Sequence, residues 1–263
     1  MNNGLIMGIV NVTPDSFSDG GLFLSKDAAL KQVHQLLSDG ADILDIGAES
    51  SRPGAPPVPL EEEWNRLLPI LKELDKESIT ISVDTYKPEI MRRLRDHNVA
   101  IINDIKGGAQ IPDEILKDWA NLSRIYLGMH MHLVPETMQQ RPLDVREASA
   151  AVSFYYDKTR ERLQKLGFSV DKIWLDPGIG FGKTDAANLY LIREAIGDAG
   201  RTPLVMGISR KSFIGRILDI ERAEDRDGAS KMLELSFLYA GVKAIRTHNV
   251  KHLKRLRDLT RTT

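Results

Sequence analysis

Polar residues recur in this sequence at one kind of place, the end of a short apolar run. Leu5–Val10 runs into Asn11, Ile43–Ile46 surrounds Asp45 and leads to Glu49, and Ile79–Val83 ends in Asp84. Ile101–Ile102 ends in Asn103 and Asp104, Ile125–Met129 in His130, and Ile173–Leu175 in Asp176. Leu204–Ile208 is followed by Ser209, Arg210 and Lys211, and Ala244–Ile245 by Arg246 and His248. Apolar packing would not choose carboxylates, amides and cations at these points. In a parallel barrel the C-terminal strand ends form a single face, and active sites are built there. Arg246 and His248 alternate along one run, so both side chains point to the same side.

The elements that must carry these groups follow from periodicity. Lys26–Ser38 has Ala28, Ala29, Val33, Leu36 and Leu37 at helical spacing and stops at Gly40. Leu60–Lys76 opens on Glu61, Glu62 and Glu63, which suits a helix N-terminus. Pro88–His97 places proline in a first turn. Pro112–Ala120, Val145–Leu166, Ala186–Ala199, Gly228–Ala240 and Lys251–Arg261 complete the helices. Strand and helix alternate throughout, which implies a parallel sheet. The 263 residues are close to the usual barrel length of about 250. The expectation is an α/β fold, a (β/α)8 TIM barrel, as a single domain over residues 1–263. Two segments after strand ends, Thr13–Leu24 and Ser50–Pro59, are long and rich in turn residues. Both should overhang the active face as binding loops.

Composition narrows the partners. Hydrophobic residues make up 42% and charged residues 28%, enough to bury a sizeable core. A net charge of -1 gives no global pull toward nucleic acid or an anionic membrane. There is no cysteine, which excludes disulfides, a thiolate nucleophile and Cys–zinc chemistry. No run approaches the roughly 20 apolar residues of a membrane span. Leu5–Val10 is too short for a signal-peptide core. A cytoplasmic location is the default expectation.

Taken alone, Asp176–Lys183 has a faint look of a phosphate loop. It lacks the Walker spacing, and a tight glycine turn explains it as well. Taken together, the motifs say more. In order they are Met-Gly-Ile-Val-Asn-Val-Thr-Pro-Asp-Ser-Phe-Ser-Asp-Gly-Gly over Met7–Gly21, Asp-Ile-Gly-Ala-Glu-Ser-Ser-Arg-Pro-Gly over Asp45–Gly54, and Ser-Val-Asp-Thr-Tyr-Lys-Pro-Glu over Ser82–Glu89. Ile102–Asp104, Met129–Met131, Leu175–Lys183 and Ser209–Phe213 follow. This series closely resembles the bacterial dihydropteroate synthases, enzymes of folate synthesis and targets of sulfonamides.

The resemblance implies a transferase that joins 6-hydroxymethyl-7,8-dihydropterin diphosphate to para-aminobenzoate with loss of pyrophosphate. It implies a pterin clamp of Asp84, Asn103 and Asp176 at neighbouring strand ends, with Lys211 beside the ring. Catalytic roles are implied for Lys211, Asp84 and Asp176. Physical chemistry agrees, since a carboxylate accepts two N–H groups of the pterin edge at once. Arg246 and His248 are implied as the diphosphate site, and Asn11 as a Mg2+ ligand. The resemblance further implies that Phe17, Asp19, Ser51, Arg52 and Pro53 border the aminobenzoate site, with Phe181, Lys211 and Ser212 opposite. A dissociative, cation-like step and a homodimer are also implied. The sequence departs from the family pattern at Ser51, Ala48, His132, Thr247 and Asn249, and an N-terminal hairpin is expected to be short or absent. Rival readings are a pterin-dependent methyltransferase, a silent pterin-binding paralogue and a sulfonamide-tolerant synthase. Retention of Asn11, Lys211, Arg246 and His248 speaks against the first two.

Each group also has a bland reading. Asp84 and Asp176 could cap the following helices. Asp45 and Asp104 read as structural hydrogen bonders. His130 and His132 resemble a metal pair, but no third ligand falls at a helpful spacing. His34, His97 and His252 read as surface residues, and Arg92–Arg95 as a solvated helix face.

Overall fold

A computed structural model describes residues 4–12, 21–50, 56–133 and 137–261. Among them, eight parallel strands alternate with helices in a TIM barrel. The strands are β1 (Leu5–Asn11), β2 (Ile43–Gly47), β3 (Thr80–Asp84), β4 (Ile101–Asp104), β5 (Ile125–Met129), β6 (Ile173–Asp176), β7 (Val205–Met206) and β8 (Ala244–Thr247). They are bonded in the order β6-β5-β4-β3-β2-β1-β8-β7. A bridge from Leu175 to Leu204 closes the ring, where the Leu175 N–H donates to Pro203 O at 3.0 Å.

The helices are α1 (Gly21–Ser38), α2 (Leu60–Leu74), α3 (Pro88–Arg93), α4 (Asp113–Asn121), α5 (Val145–Lys165), α6 (Asp185–Asp198), α7 (Ser212–Leu218), α8 (Asp227–Ala240) and α9 (Val250–Arg261). Their ends follow local chemistry. Asp144 and Glu147 form a reciprocal capping box on α5, and Thr184 accepts from Ala187 N at the start of α6.

Three elements differ from the sequence expectation. α1 starts at Gly21, so the first loop ends before Leu24. The seventh strand shrinks from Leu204–Ile208 to Val205–Met206, with Leu204 only in an isolated bridge to Leu175 and Gly207 offering no side chain to pack. The short α7 is an addition; its seven residues offer too few turns for a visible helical period.

Register explains why polar groups converge. Met7 pairs with Ile43, Asp45 with Ser82, Asp84 with Asn103, Met129 with Asp176 and Met7 with Arg246. Side chains alternate along each strand. Asn11, Asp45, Asp84, Asn103, Asp176 and Arg246 therefore share phase with Met7, Ile43, Ile101, Leu127, Trp174 and Ala244. The latter six, with Val205, pack as an apolar cluster inside the barrel. The barrel interior is thus apolar at one level and polar at the C-terminal level. The opposite phase, with Ile6, Leu44, Ile81 and Ile245, packs outward against the helices.

Candidate active site

The polar level is organised around Asp45, which is fully buried. Ser82 Oγ donates to Asp45 Oδ1 at 2.6 Å, Asn103 Nδ2 donates to Oδ2 at 3.1 Å, and Arg246 Nε donates to Oδ2 at 2.6 Å. Arg246 then reaches on, with Nη2 donating to Asp84 Oδ2 at 3.1 Å. Burial pushes the Asp84 carboxyl up to about 7; Arg246 opposes this, while Asp45, Glu63 and Asp104 add to it. Two glycines line the space. A Cβ on Gly47 would lie 3.4 Å from Asp84 Cβ, and one on Gly207 would lie 3.8 Å from Asp176 Oδ2.

Asp176 closes the other side. Its Oδ1 accepts from Gly178 N at 2.6 Å, and burial raises its pKa. The loop that follows takes positive φ at Gly178, Gly180 and Gly182. Gly178 is the strictest position, because a Cβ there would lie 1.9 Å from His130 O. Lys183 folds back beneath this loop and is buried. Its Nζ donates to Gly178 O at 2.8 Å, Phe181 O at 3.0 Å and His130 O at 3.3 Å. The ammonium is thus directed at three carbonyls, which disposes of the phosphate-loop resemblance. Burial brings the Lys183 pKa down to about 7.

Lys211 lies across from this loop, at the N-cap of α7, with Ser212 exposed beside it. Its Nζ donates to Ile179 O and sits 4.5 Å from the Phe181 ring centre. Burial lowers its pKa to about 8, with Asp176 opposing and Arg246 adding. His248, just beyond β8, has Nδ1 3.1 Å from Ser209 Oγ, and the same hydroxyl oxygen accepts from His248 N at 3.2 Å.

Asn11 ends β1, half-buried and in phase with the mouth. Among the described residues there is no group of three His, Asp or Glu that could cage a cation. The nearby carboxylates Asp45 and Asp84 are already engaged by Arg246. A single amide oxygen suits Mg2+ only where substrate phosphates and waters supply the other ligands.

Asn11, Asp84, Asn103, Asp176, Phe181, Lys211, Ser212, Arg246 and His248 thus lie at the C-terminal strand ends or on the loops that leave them. Phe17, Asp19, Ser51, Arg52 and Pro53 lie outside the described residues. The clamp strands are not all neighbours as expected, since β5 separates β4 from β6. The helix-cap reading is set aside for both aspartates. The α3 cap position is Lys87, with no side-chain cap, and Asp176 binds the glycine turn instead. His97 is not a free surface group; its Nδ1 lies 2.8 Å from Asp75, and its ring meets Trp64 edge-on. His130 is held neutral by burial, its pKa lowered to about 3, and packs on Tyr155.

Asp45, Lys183 and Ser209 also serve the site, although the sequence, which marks Asp45 and Ser209 at strand ends, assigns none of the three a role there. Their signal is phase and loop position, since Asp45 stands two residues before Gly47 on an inward face. Glu49 is another. It accepts from Tyr86 Oη at 2.7 Å, Val58 N at 3.1 Å and Lys87 Nζ, and so pins the base of the second loop. Two departures from the family pattern make contacts with helices behind the mouth. Thr247 Oγ1 accepts from buried Lys231 at 2.7 Å, and Asn249 Oδ1 accepts from His252 N at 3.2 Å in the first turn of α9.

Comparison with known proteins agrees with this geometry. The family model described as "Pterin binding enzyme" matches residues 7–248. The chain is 38% identical to dihydropteroate synthase of Escherichia coli K12 over 248 residues, covering 94% of this chain and 86% of the relative. It is 37% identical to the mitochondrial folate synthesis bifunctional protein of Arabidopsis thaliana, covering 95% of this chain but only 48% of that protein. Among solved structures, Xanthomonas albilineans dihydropteroate synthase with 4-aminobenzoic acid superposes with a TM-score of 0.89 at 34% identity, covering 99% of this chain and 93% of the other. The Burkholderia cenocepacia dihydropteroate synthase complexed with 7,8-dihydropteroate gives 0.85 at 32% identity, covering 98% and 91%.

Proposed function

We infer, for a chain that belongs to the pterin-binding enzyme family, that its activity is that of a dihydropteroate synthase. It is a transferase of an alkyl group other than methyl. It joins the pterin methylene of 6-hydroxymethyl-7,8-dihydropterin diphosphate to the amine of para-aminobenzoate. The carrying observation is that Asp84, Asn103, Asp176, Lys211 and Arg246 converge on one barrel mouth, on a chain alike over nearly its whole length to proteins of that name.

The chain's own groups suit each part of the reaction. Asp176 and Asp84 accept the N–H groups of the pterin edge, and Asn103, held by Asp45, presents its amide oxygen. Lys211 donates toward the pterin carbonyl and ring nitrogen. Arg246 and His248 hold the diphosphate. As the C–O bond breaks, pyrophosphate departs with the bonding pair and positive charge develops at the methylene. The carboxylates of Asp84 and Asp176 stabilise that electron-poor ring, which favours a dissociative path. The arylamine nitrogen then forms the C–N bond and loses a proton. Asn11 would hold a Mg2+ ion, which would supply charge neutralisation for the leaving group.

In this reading para-aminobenzoate binds beside Phe181, Lys211 and Ser212, and the family resemblance assigns Phe17, Asp19, Ser51, Arg52 and Pro53 to the same site. The Yersinia pestis dihydropteroate synthase forms a complex with a sulfonamide drug, and such drugs would compete at this place. A homodimer is part of the same proposal. Leu189 and Tyr190 of α6 and Met232 and Tyr239 of α8 expose apolar surface on helices that pack together. No helix among the described residues is long and apolar enough to cross a membrane. A cytoplasmic setting fits the substrates. The test is a coupled assay of pyrophosphate release. Release that depends on para-aminobenzoate supports the synthase; a methyltransferase would release none.

A further inference from the structure

Arg210 has a backbone that its residue type disfavours. Its φ is +61°, the left-handed region where a Cβ crowds the following carbonyl. Glycine would take this turn freely. Yet the sequence places arginine there, directly before Lys211.

The arginine is held by backbone and side chain alike. Its N–H donates to Ser230 Oγ at 3.1 Å. Its guanidinium grips Asp227 with two hydrogen bonds, Nε to Oδ1 at 2.8 Å and Nη2 to Oδ2 at 3.0 Å. Its carbonyl accepts from Arg226 Nη1 at 3.1 Å. All these partners belong to α8 or the residue before it. The side chain is therefore committed away from substrate. Inside the turn, Lys211 N donates to Ile208 O at 3.1 Å. Asp227 Oδ2 also accepts from Asn249 Nδ2 at 3.2 Å. One carboxylate thus ties together the turn that bears Lys211 and the segment that bears His248.

We infer that Arg210 is a positioning residue, which clamps a strained turn onto α8 so that Lys211 is aimed into the mouth. This rests on the reading of Lys211 as the group facing the pterin. Local strain persists only where surroundings enforce it, and here the enforcing contacts are the clamp itself. A two-point arginine–carboxylate pair fixes geometry in a way that a lysine cannot.

The test is Arg210→Gly in the full-length protein. Glycine keeps the turn available and removes the strain while deleting the clamp, so the melting temperature should shift by no more than about 3 °C. The kcat should fall about ten- to a hundred-fold, the scale expected for a misplaced group, with KM for the pterin diphosphate within about threefold. Asp227→Asn should lower kcat similarly, and the double variant should be no worse than the more damaged single one. Wild-type kcat in Arg210→Gly would overturn the inference. A loss of activity accompanied by a large fall in melting temperature would also overturn it, by making the role merely structural. Lys211→Ala separates the two readings. If Lys211→Ala is fully active, the role given to Lys211 fails; if it is inactive while Arg210→Gly is fully active, only the clamp fails.

Discussion

Arg246 is fastened to Asp45 more closely than to Asp84. Its Nε stands 2.6 Å from the fully buried Asp45, and its Nη2 stands 3.1 Å from Asp84 at the mouth. The inner carboxylate anchors the guanidinium and leaves the outer one available to substrate. Asn103 is steered by the same inner oxygen.

Asp45→Asn tests that anchor. An amide presents a donor to a site already crowded with donors from Ser82, Asn103 and Arg246. Removing one member of a buried ion pair costs about 3–5 kcal/mol, and denaturant melts should show a loss on that scale. Arg246 should then turn fully to Asp84. With the Asp45 charge gone, the Asp84 pKa should fall, since both changes favour its anion. NMR titration of Asp84 checks this; an unmoved value would mean that Asp45 is electrically silent.

The pH profile follows from two groups. Asp84 must be anionic to accept pterin N–H groups, and it loses its proton near about 7. Lys211 must be cationic to donate, and it loses its proton near about 8. Activity should therefore rise as pH passes through about 7 and fall as it passes through about 8. The curve of kcat/KM, which reports the free enzyme, should be a narrow bell. Lys211→Arg should carry the alkaline limb upward, since guanidinium stays charged. An alkaline limb unchanged in that variant would assign it to another group.

Asp176→Asn addresses the clamp. Its carboxylate already accepts from Gly178 N, and the remaining acceptor capacity is what pterin would use. An amide leaves one pterin N–H poorly met. A hydrogen bond to a charged group is worth about 1.5–3 kcal/mol, or about ten- to a hundred-fold in affinity. Calorimetry with a pterin lacking the diphosphate reads this directly, and unchanged affinity would reduce Asp176 to a turn residue.

Much of this architecture is legible in the sequence, for a physical reason. Strand phase alone places Asn11, Asp84, Asn103, Asp176 and Arg246 on one inward level, and apolar runs make the strands visible. Asp45 is visible too, but as a polar residue inside an apolar run it reads first as structural. Its role in steering Arg246 depends on a contact between residues 201 positions apart, which no local pattern encodes. The sequence around Lys183 reads as a glycine loop; only the fold shows that its ammonium points inward to three carbonyls. α7 escapes a sequence reading because its seven residues carry too little periodicity.

The diphosphate site should separate from the pterin site. Arg246 lies on the mouth between Asp45 and Asp84 and touches both the clamp and the space beyond it. His248 is anchored differently, through Ser209 at the end of the seventh strand's loop. His248→Ala is therefore the cleaner substitution. It should weaken pyrophosphate and pterin diphosphate binding about tenfold, the value of one hydrogen bond to a charged group. A pterin without the diphosphate should bind as before. Arg246→Ala should weaken all three ligands, because it also frees Asp45 and Asp84 to repel each other. Para-aminobenzoate should bind poorly to both variants if its site is completed only once pyrophosphate and Mg2+ are in place. Calorimetry in both orders of addition decides the matter. Tight para-aminobenzoate binding to the wild-type protein with no pyrophosphate present would break the proposed order, and equal loss of bare pterin binding in His248→Ala would merge the two sites into one.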